Sequence, residues 1–199
     1  VEKATLVVGM YGNNADFFTV KGMAEQLLEK LSVTDYDIAA SSEEYSYHPG
    51  RCAVLTIGGQ RLGVIGEIHP EVAENYGIDE RVYCFTLDVD LLFANAKTDK
   101  TYTPLPKFPA VTRDIALVAD EAVGAGTMMD VIRKSARNLE DVKLFDIYRG
   151  DQLGAGRKSV AYSITFRAPD RTLTDEEIVS AMNKILKALK EECGAEIRA

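Results

Sequence analysis

The sequence predicts an α+β chain built as two modules, each a largely antiparallel sheet with helices laid against it. Three observations carry that expectation. Short runs of strand character are interspersed with long helical stretches whose apolar residues recur with a 3.6-residue period. A segment from Lys97 to Pro109 places Pro104, Pro106 and Pro109 within six residues, which removes backbone donors, disfavours helix and reads as an extended linker. Charge divides near the same place: residues 1–103 hold 8 Lys/Arg against 16 Asp/Glu, and residues 104–199 hold 15 against 15, so the whole net charge of −8 lies in the first part. The expected division is 1–103 and 104–199.

In the first module, residues 3–10 read as a strand. Asp16 is an N-cap candidate for a helix carrying Val20, Met23, Ala24, Leu27, Leu28 and Leu31 on one stripe. Tyr36 to Ser41 reads as a strand around Ile38. The runs Cys52–Ile57 and Arg61–Gly66, separated by Gly58-Gly59-Gln60, read as a hairpin. Pro70 opens a short helix to about Tyr76, and Arg81 to Val89 is a further strand.

The second module is ordered strand, helix, strand, strand, helix, strand. Its elements are Thr112–Val118, a helix begun by a Thr127/Asp130 capping box and running to about Asn138, Lys143–Tyr148, Ser159–Phe166, a helix behind the capping box Thr174-Asp175-Glu176-Glu177, and Ala195–Arg198. The glycine-rich stretch 150–156 is a turn. The second helix carries Ile178, Val179, Ala181, Met182, Ile185, Leu186 and Leu189 on one face. This order is the ferredoxin-like split βαβ arrangement.

Both helices of such a fold cover one face of the sheet and leave the other open. Period-2 alternation sorts the strand residues between the faces. Ile115, Leu117, Phe145, Ile147, Val160, Tyr162, Ile164, Phe166 and Ile197 are expected inward. Asp114, Ala116, Val118, Asp146, Tyr148, Ser159, Ala161, Ser163, Thr165 and Arg198 are expected outward. The open face is then small and polar around one aromatic, Tyr148, and one cation, Arg198. A bare, flat surface with one ring suits unpaired bases splayed on a sheet, with Tyr148 stacking and Ser159 and Asp146 placed to hydrogen-bond base edges. The same pattern also describes an ordinary solvated face.

Composition narrows the remaining classes. At 46% hydrophobic and 27% charged, the chain is neither disordered nor fibrous. No apolar run approaches the ~20 residues that span a bilayer, so no membrane partner is expected. Val1 leads directly into a strand-like run without the features of a signal peptide, and the missing initiator Met suggests a piece of a longer polypeptide. Cys52, Cys84 and Cys193 are odd in number and far apart, which opposes a disulfide framework and suits a reducing compartment. His48 and His69 each sit beside a proline and read as turn formers; no ligand spacing around Cys52 forms a metal site. Glu67 and Glu71 flank His69 as a chance pairing in an acidic module. Phe17-Phe18 and Leu27, Leu28 and Leu31 read as core. No phosphate-binding glycine loop follows a strand.

Phe108–Ala116, Phe145–Gly150, Lys158–Tyr162, Phe166-Arg167 and Arg171–Glu177 together resemble the ferredoxin-like anticodon-binding domain that ends the β subunit of bacterial phenylalanyl-tRNA synthetase. Asp16–Gly22, His48–Arg51 and Gly66–Val72 resemble that subunit's catalytic-like domain. The resemblance implies a class II synthetase-like, catalytically silent half-domain at 1–103, packed against a catalytic α subunit. The earlier β-subunit domains, including the editing domain, would be missing. It implies a parent ligase of two α and two β subunits, cytoplasmic, joining phenylalanine to tRNA(Phe) with ATP and Mg²⁺. The piece itself would have no cofactor and no catalytic or metal-binding residue. Tyr148, Ser159 and Arg198 match family positions on the anticodon-facing sheet, with Ala116 a neighbour. Arg113, Arg149 and Arg167 are candidates for phosphate contacts or, equally, surface ion pairs. The alternative function is a ferredoxin-like protein-interaction or small-ligand module with no RNA role. A stand-alone enzyme is disfavoured by the lack of an ATP-binding arginine set.

Overall fold

The computed structural model describes residues 2–97, 102 and 104–198. The chain divides into two compact units, Val1–Tyr102 and Thr103–Ala199. Part of the linker reading at Lys97–Pro109, residues 98–101 and 103, lies outside the described residues.

The first unit runs β1 (Thr5–Tyr11), α1 (Phe17–Lys30), β2 (Asp37–Ala40), β3 (Tyr47–Ile57), β4 (Gln60–Ile68), α2 (Pro70–Asn75), β5 (Val82–Asp88) and α3 (Val89–Asn95). Its strands form one antiparallel sheet in the order β1-β5-β4-β3-β2. Asp16 caps α1, its carboxylate accepting the Thr19 N–H at 2.6 Å. Val20, Ala24 and Leu28 of that helix pack with Leu55, Ile65, Phe85 and Leu87 from the sheet. Gly58 and Gly59 both have positive φ, 54° and 77°, and turn the chain in two residues so that Ile57 pairs with Gln60. At Gly63 a Cβ would lie 1.8 Å from the Thr86 carbonyl oxygen, so only glycine lets β4 and β5 approach as they do.

Three expectations need correction here. His48-Pro49-Gly50-Arg51 is not a turn but part of β3. The register jumps from Tyr47↔Ile68 to Cys52↔Gly66, and this irregularity accommodates a proline that an unbroken ladder would exclude. The strand expected to run from Arg81 to Val89 ends at Asp88, because Asp88 caps α3, accepting the Leu91 N–H at 2.9 Å. Met23 and Phe18 are exposed, while Phe17 packs on the core with its ring edge against Phe18.

The second unit runs β6 (Val111–Asp120), α4 (Ala125–Ser135), β7 (Leu139–Tyr148), a 3₁₀ turn (Asp151–Leu153), β8 (Arg157–Phe166), α5 (Asp175–Cys193) and β9 (Glu196–Ile197). The sheet order β7-β8-β6-β9, antiparallel throughout, is the ferredoxin-like topology. Met128, Val131 and Ile132 of α4 and Ile178, Ile185 and Leu189 of α5 pack with Leu117, Val160, Tyr162, Ile164 and Phe166 of the sheet. Both helices therefore lie on one face. The Tyr162 hydroxyl, fully buried, donates to the Ala125 carbonyl at 2.7 Å. The Thr174–Glu177 capping box forms, and α5 ends at Gly194 with φ of 60°.

The α4 boundaries differ from expectation. The helix starts at Ala125 behind Gly124, without a side-chain cap, so Thr127 lies inside its first turn; it ends at Ser135 instead of Asn138. Ala136 is already extended, with φ of −129° and ψ of 144°, so the helix stops there, ahead of Asn138 with its φ of 58°. Val179 is exposed and not on the buried stripe of α5. Among the described residues no helix is long and apolar enough to cross a membrane.

Candidate nucleic-acid interface

The face of the second sheet opposite the helices is built as rows of residues in register. Tyr148, Ser159, Val118 and Glu196 form one row across all four strands. The backbone N–H of Arg198 donates to the Ala116 carbonyl at 2.8 Å, which brings Arg198 beside the adjacent row Asp146, Ala161 and Ala116. Ser163 next pairs Lys143 on one side and Asp114 on the other, and Thr165 pairs Thr112, their hydroxyls 3.4 Å apart. The two inner strands thus contribute only hydroxyl, methyl and one isopropyl group in the first two rows. The large groups come from the edges.

Those edge groups meet. The Arg198 guanidinium carbon, from beside β9, lies 5.0 Å from the centroid of the Tyr148 ring on β7, a cation–π contact spanning the sheet. Tyr148 and Arg198 therefore share the open side, as alternation requires. Tyr148 retains 37% exposure. Ser159 is 3% exposed and Ala161 is buried, so the hydroxyl expected to meet base edges is out of contact with solvent in this arrangement. Asp146 is exposed.

β7 departs from simple alternation. Its register slips between Leu144 and Asp146, leaving Phe145 as the extra residue of a bulge. Phe145 is accordingly 59% exposed and not in the core, and Ile147, although on the helix side, is also exposed at an edge that the helices do not cover. Ile197 likewise pairs with the buried Leu117 but lies exposed at the opposite edge.

The three arginines considered for phosphate contacts are all engaged with carboxylates. Arg149 donates to Glu121 from Nε at 3.0 Å and from Nη2 at 2.8 Å. These hydrogen bonds hold the Glu121 carboxyl below its ordinary value. Arg167 donates to Glu140 at 2.8 Å and also to the Phe108 carbonyl. Arg113 reaches Asp175 at 3.4 Å, a loose contact between exposed groups.

In the first unit the residues weighed for chemistry have structural partners. Glu67 is 3% exposed, both of its oxygens accept from Arg51 Nη1 at 2.8 Å, and Arg81 Nε lies 3.9 Å from Oε1 as a looser ion pair. Burial pushes its carboxyl up, but hydrogen bonds from Tyr83 and Arg51 and the charges of Arg51 and Arg81 outweigh that and leave it below the ordinary range. His69 Nδ1 caps α2 by accepting from the Glu71 N–H at 3.3 Å, and His48 Nδ1 accepts from the Gly50 N–H at 3.0 Å. Burial raises the Cys52 thiol to about 11, the opposite of an activated nucleophile. Among the described residues no three His, Cys, Asp or Glu side chains gather as a metal-binding group.

Residues 106–198 match the family described as the ferredoxin-fold anticodon binding domain, and residues 1–89 match the phenylalanyl tRNA synthetase beta chain CLM domain. The phenylalanine–tRNA ligase beta subunit of Clostridium tetani is 47% identical over 198 residues, covering 99% of this chain and 25% of that one. That of Clostridium acetobutylicum is 42% identical over the same share of each chain, and that of Bacillus subtilis 42% identical over 92% and 23%. The chain belongs to the phenylalanyl-tRNA synthetase β-chain family. It spans about a quarter of the length of the curated relatives it matches.

Within that family assignment, the anticodon-binding region coincides with the unit whose sheet is bare on one side. Sequence reasoning missed one residue that shapes this face, Gly150, which follows Tyr148 by two positions and was absorbed into a turn. A glycine two positions after an aromatic at a strand end was the available signal.

Proposed function

We propose that the second unit, 104–199, reads the anticodon loop of tRNA(Phe) with its open sheet face. Tyr148 stacks on an unpaired base, Arg198 and Asp146 border the pocket at its two edges, and the small side chains of Ala116 and Ser159 let the base approach the sheet. Arg113, Arg149 and Arg167 contact phosphate only by exchanging a carboxylate partner. The observation that carries this reading is the meeting of one ring and one guanidinium above a floor of small residues, on the side free of helices. The first unit, 1–103, is assigned as a catalytically silent, class II synthetase-like scaffold that docks on the α subunit. The whole ligase, two α and two β subunits in the cytoplasm, attaches phenylalanine using ATP and Mg²⁺ held elsewhere than on these residues. No chemical step is assigned to this chain. Its contribution is positional: holding the anticodon orients the distant acceptor end.

Fluorescence titration with the tRNA(Phe) anticodon stem-loop tests the reading, against the same stem with a scrambled loop. Tyr148→Ala is expected to weaken the cognate loop by roughly 1–3 kcal/mol and to narrow its margin over the scrambled one. Equal binding of both loops, unchanged by the substitution, would show that Tyr148 reads no base.

A further inference from the structure

Tyr148 closes β7, and Gly150 follows it before the 3₁₀ turn. A Cβ built on Gly150 would lie 2.3 Å from the Tyr148 hydroxyl oxygen, 2.6 Å from Cζ and 2.9 Å from Cε1. No real side chain tolerates such contacts, so the ring occupies the space a side chain at 150 would fill. Backbone conformation does not demand glycine here. Gly154 and Gly156 in the same connection have φ of 85° and 76°, but Gly150 lies outside that left-handed region. Alanine therefore suits the backbone at 150 and conflicts only with the ring. A phenol ring is rigid, and its Cζ and hydroxyl oxygen lie on the χ2 axis, so it can clear those contacts only by rotating about χ1, which swings it from beneath Arg198.

We propose that Gly150 is a positioning residue for Tyr148: its missing side chain is the seat in which the ring lies, and that seat keeps the ring under the Arg198 guanidinium and beside the small-residue floor. The consequence for RNA rests on the reading given under Proposed function, whereas the seat itself does not.

The 199-residue chain carrying Gly150→Ala tests both. The first measurement needs no RNA. In the parent chain the Arg198 guanidinium sits over the Tyr148 ring, so its side-chain protons are expected upfield of their position in Tyr148→Leu, which has no such ring. In Gly150→Ala they are expected to move to the Tyr148→Leu position, while amide exchange in β6 and β8 stays unchanged. The second measurement is stem-loop affinity, expected to fall by about 5- to 150-fold, the full range of one lost base stack. Because both substitutions act through one ring, the double variant should bind no more weakly than Tyr148→Leu alone. An Arg198 signal that keeps its ring shift in Gly150→Ala would overturn the proposal, as would loss of folding or a fully additive double variant. If the ring shift disappears and stem-loop affinity does not change, the seat stands and the base-reading function falls.

Discussion

Replacing Arg51 with methionine keeps the aliphatic stem and deletes the guanidinium that grips Glu67. Glu67 is 3% exposed, and Arg51 Nη1 donates to both of its oxygens at 2.8 Å. A hydrogen bond to a charged group contributes about 1.5–3 kcal/mol. Removing one partner of a fully buried pair costs about 3–5 kcal/mol. The Arg51 side chain is itself 41% exposed and Arg81 remains at 3.9 Å, so the lower part of the first range applies, about 1.5–2 kcal/mol. The loss depends on pH with a definite sign. The Glu67 carboxyl lies below its ordinary value in the folded chain, so its contribution is complete above the unfolded-state value near ~4.3 and disappears as pH falls through the folded one. The Arg51→Met deficit should therefore be largest near neutral pH and shrink below about pH 4, where a neutral carboxyl no longer needs its cation. Urea unfolding at the two pH values measures the deficit, and amide exchange locates it in β3, β4 and β5. A deficit equal at both pH values, or exchange rising as much in β6–β8, would refute the assignment of this energy to the pair.

Tyr162→Phe removes a buried 2.7 Å hydrogen bond and leaves the Ala125 carbonyl with its helical N–H alone, so a thermal melt should report a loss of about 0.5–1.5 kcal/mol with helix content unchanged. Thr174→Ala deletes one half of the α5 capping box and should cost about 1 kcal/mol in urea unfolding, with fraying confined to the start of that helix in amide exchange. Gly63→Ala sets a methyl against the Thr86 carbonyl at a separation backbone atoms cannot accept; β4–β5 pairing must open, and protection at Ile65 and Phe85 should collapse while the second unit keeps its own.

Much of the fold was legible because its determinants are local. Asp16 and the Thr174–Glu177 box mark helix starts through hydrogen bonds to backbone three residues away, and Gly58-Gly59 makes its turn by φ alone. What escaped depends on partners distant in sequence. The slip at Phe145 is a mismatch between β7 and β8, and nothing in Leu144-Phe145-Asp146 announces which residue will be left over. Thr127 and Asp130 have the composition of a capping box, yet the helix already begins at Ala125, whose carbonyl accepts from the distant Tyr162 hydroxyl. At the candidate site, period-2 alternation gives the side of the sheet for Tyr148, Ser159 and Arg198. It says nothing about what lies over a side chain, so the burial of Ser159 and the reach of Arg198 across to Tyr148 were invisible to it.

The arch formed by Tyr148 and Arg198 has a fixed span. Its two feet stand on opposite margins of the sheet, with two strands between them, and neighbouring strands are about 4.8 Å apart. One more strand would draw the keystones apart, and one fewer would jam them together. The strand count beneath is thus a dimension of the vault, and bulk inserted in the middle, at Ser159 or Ala161, would prop it open from below.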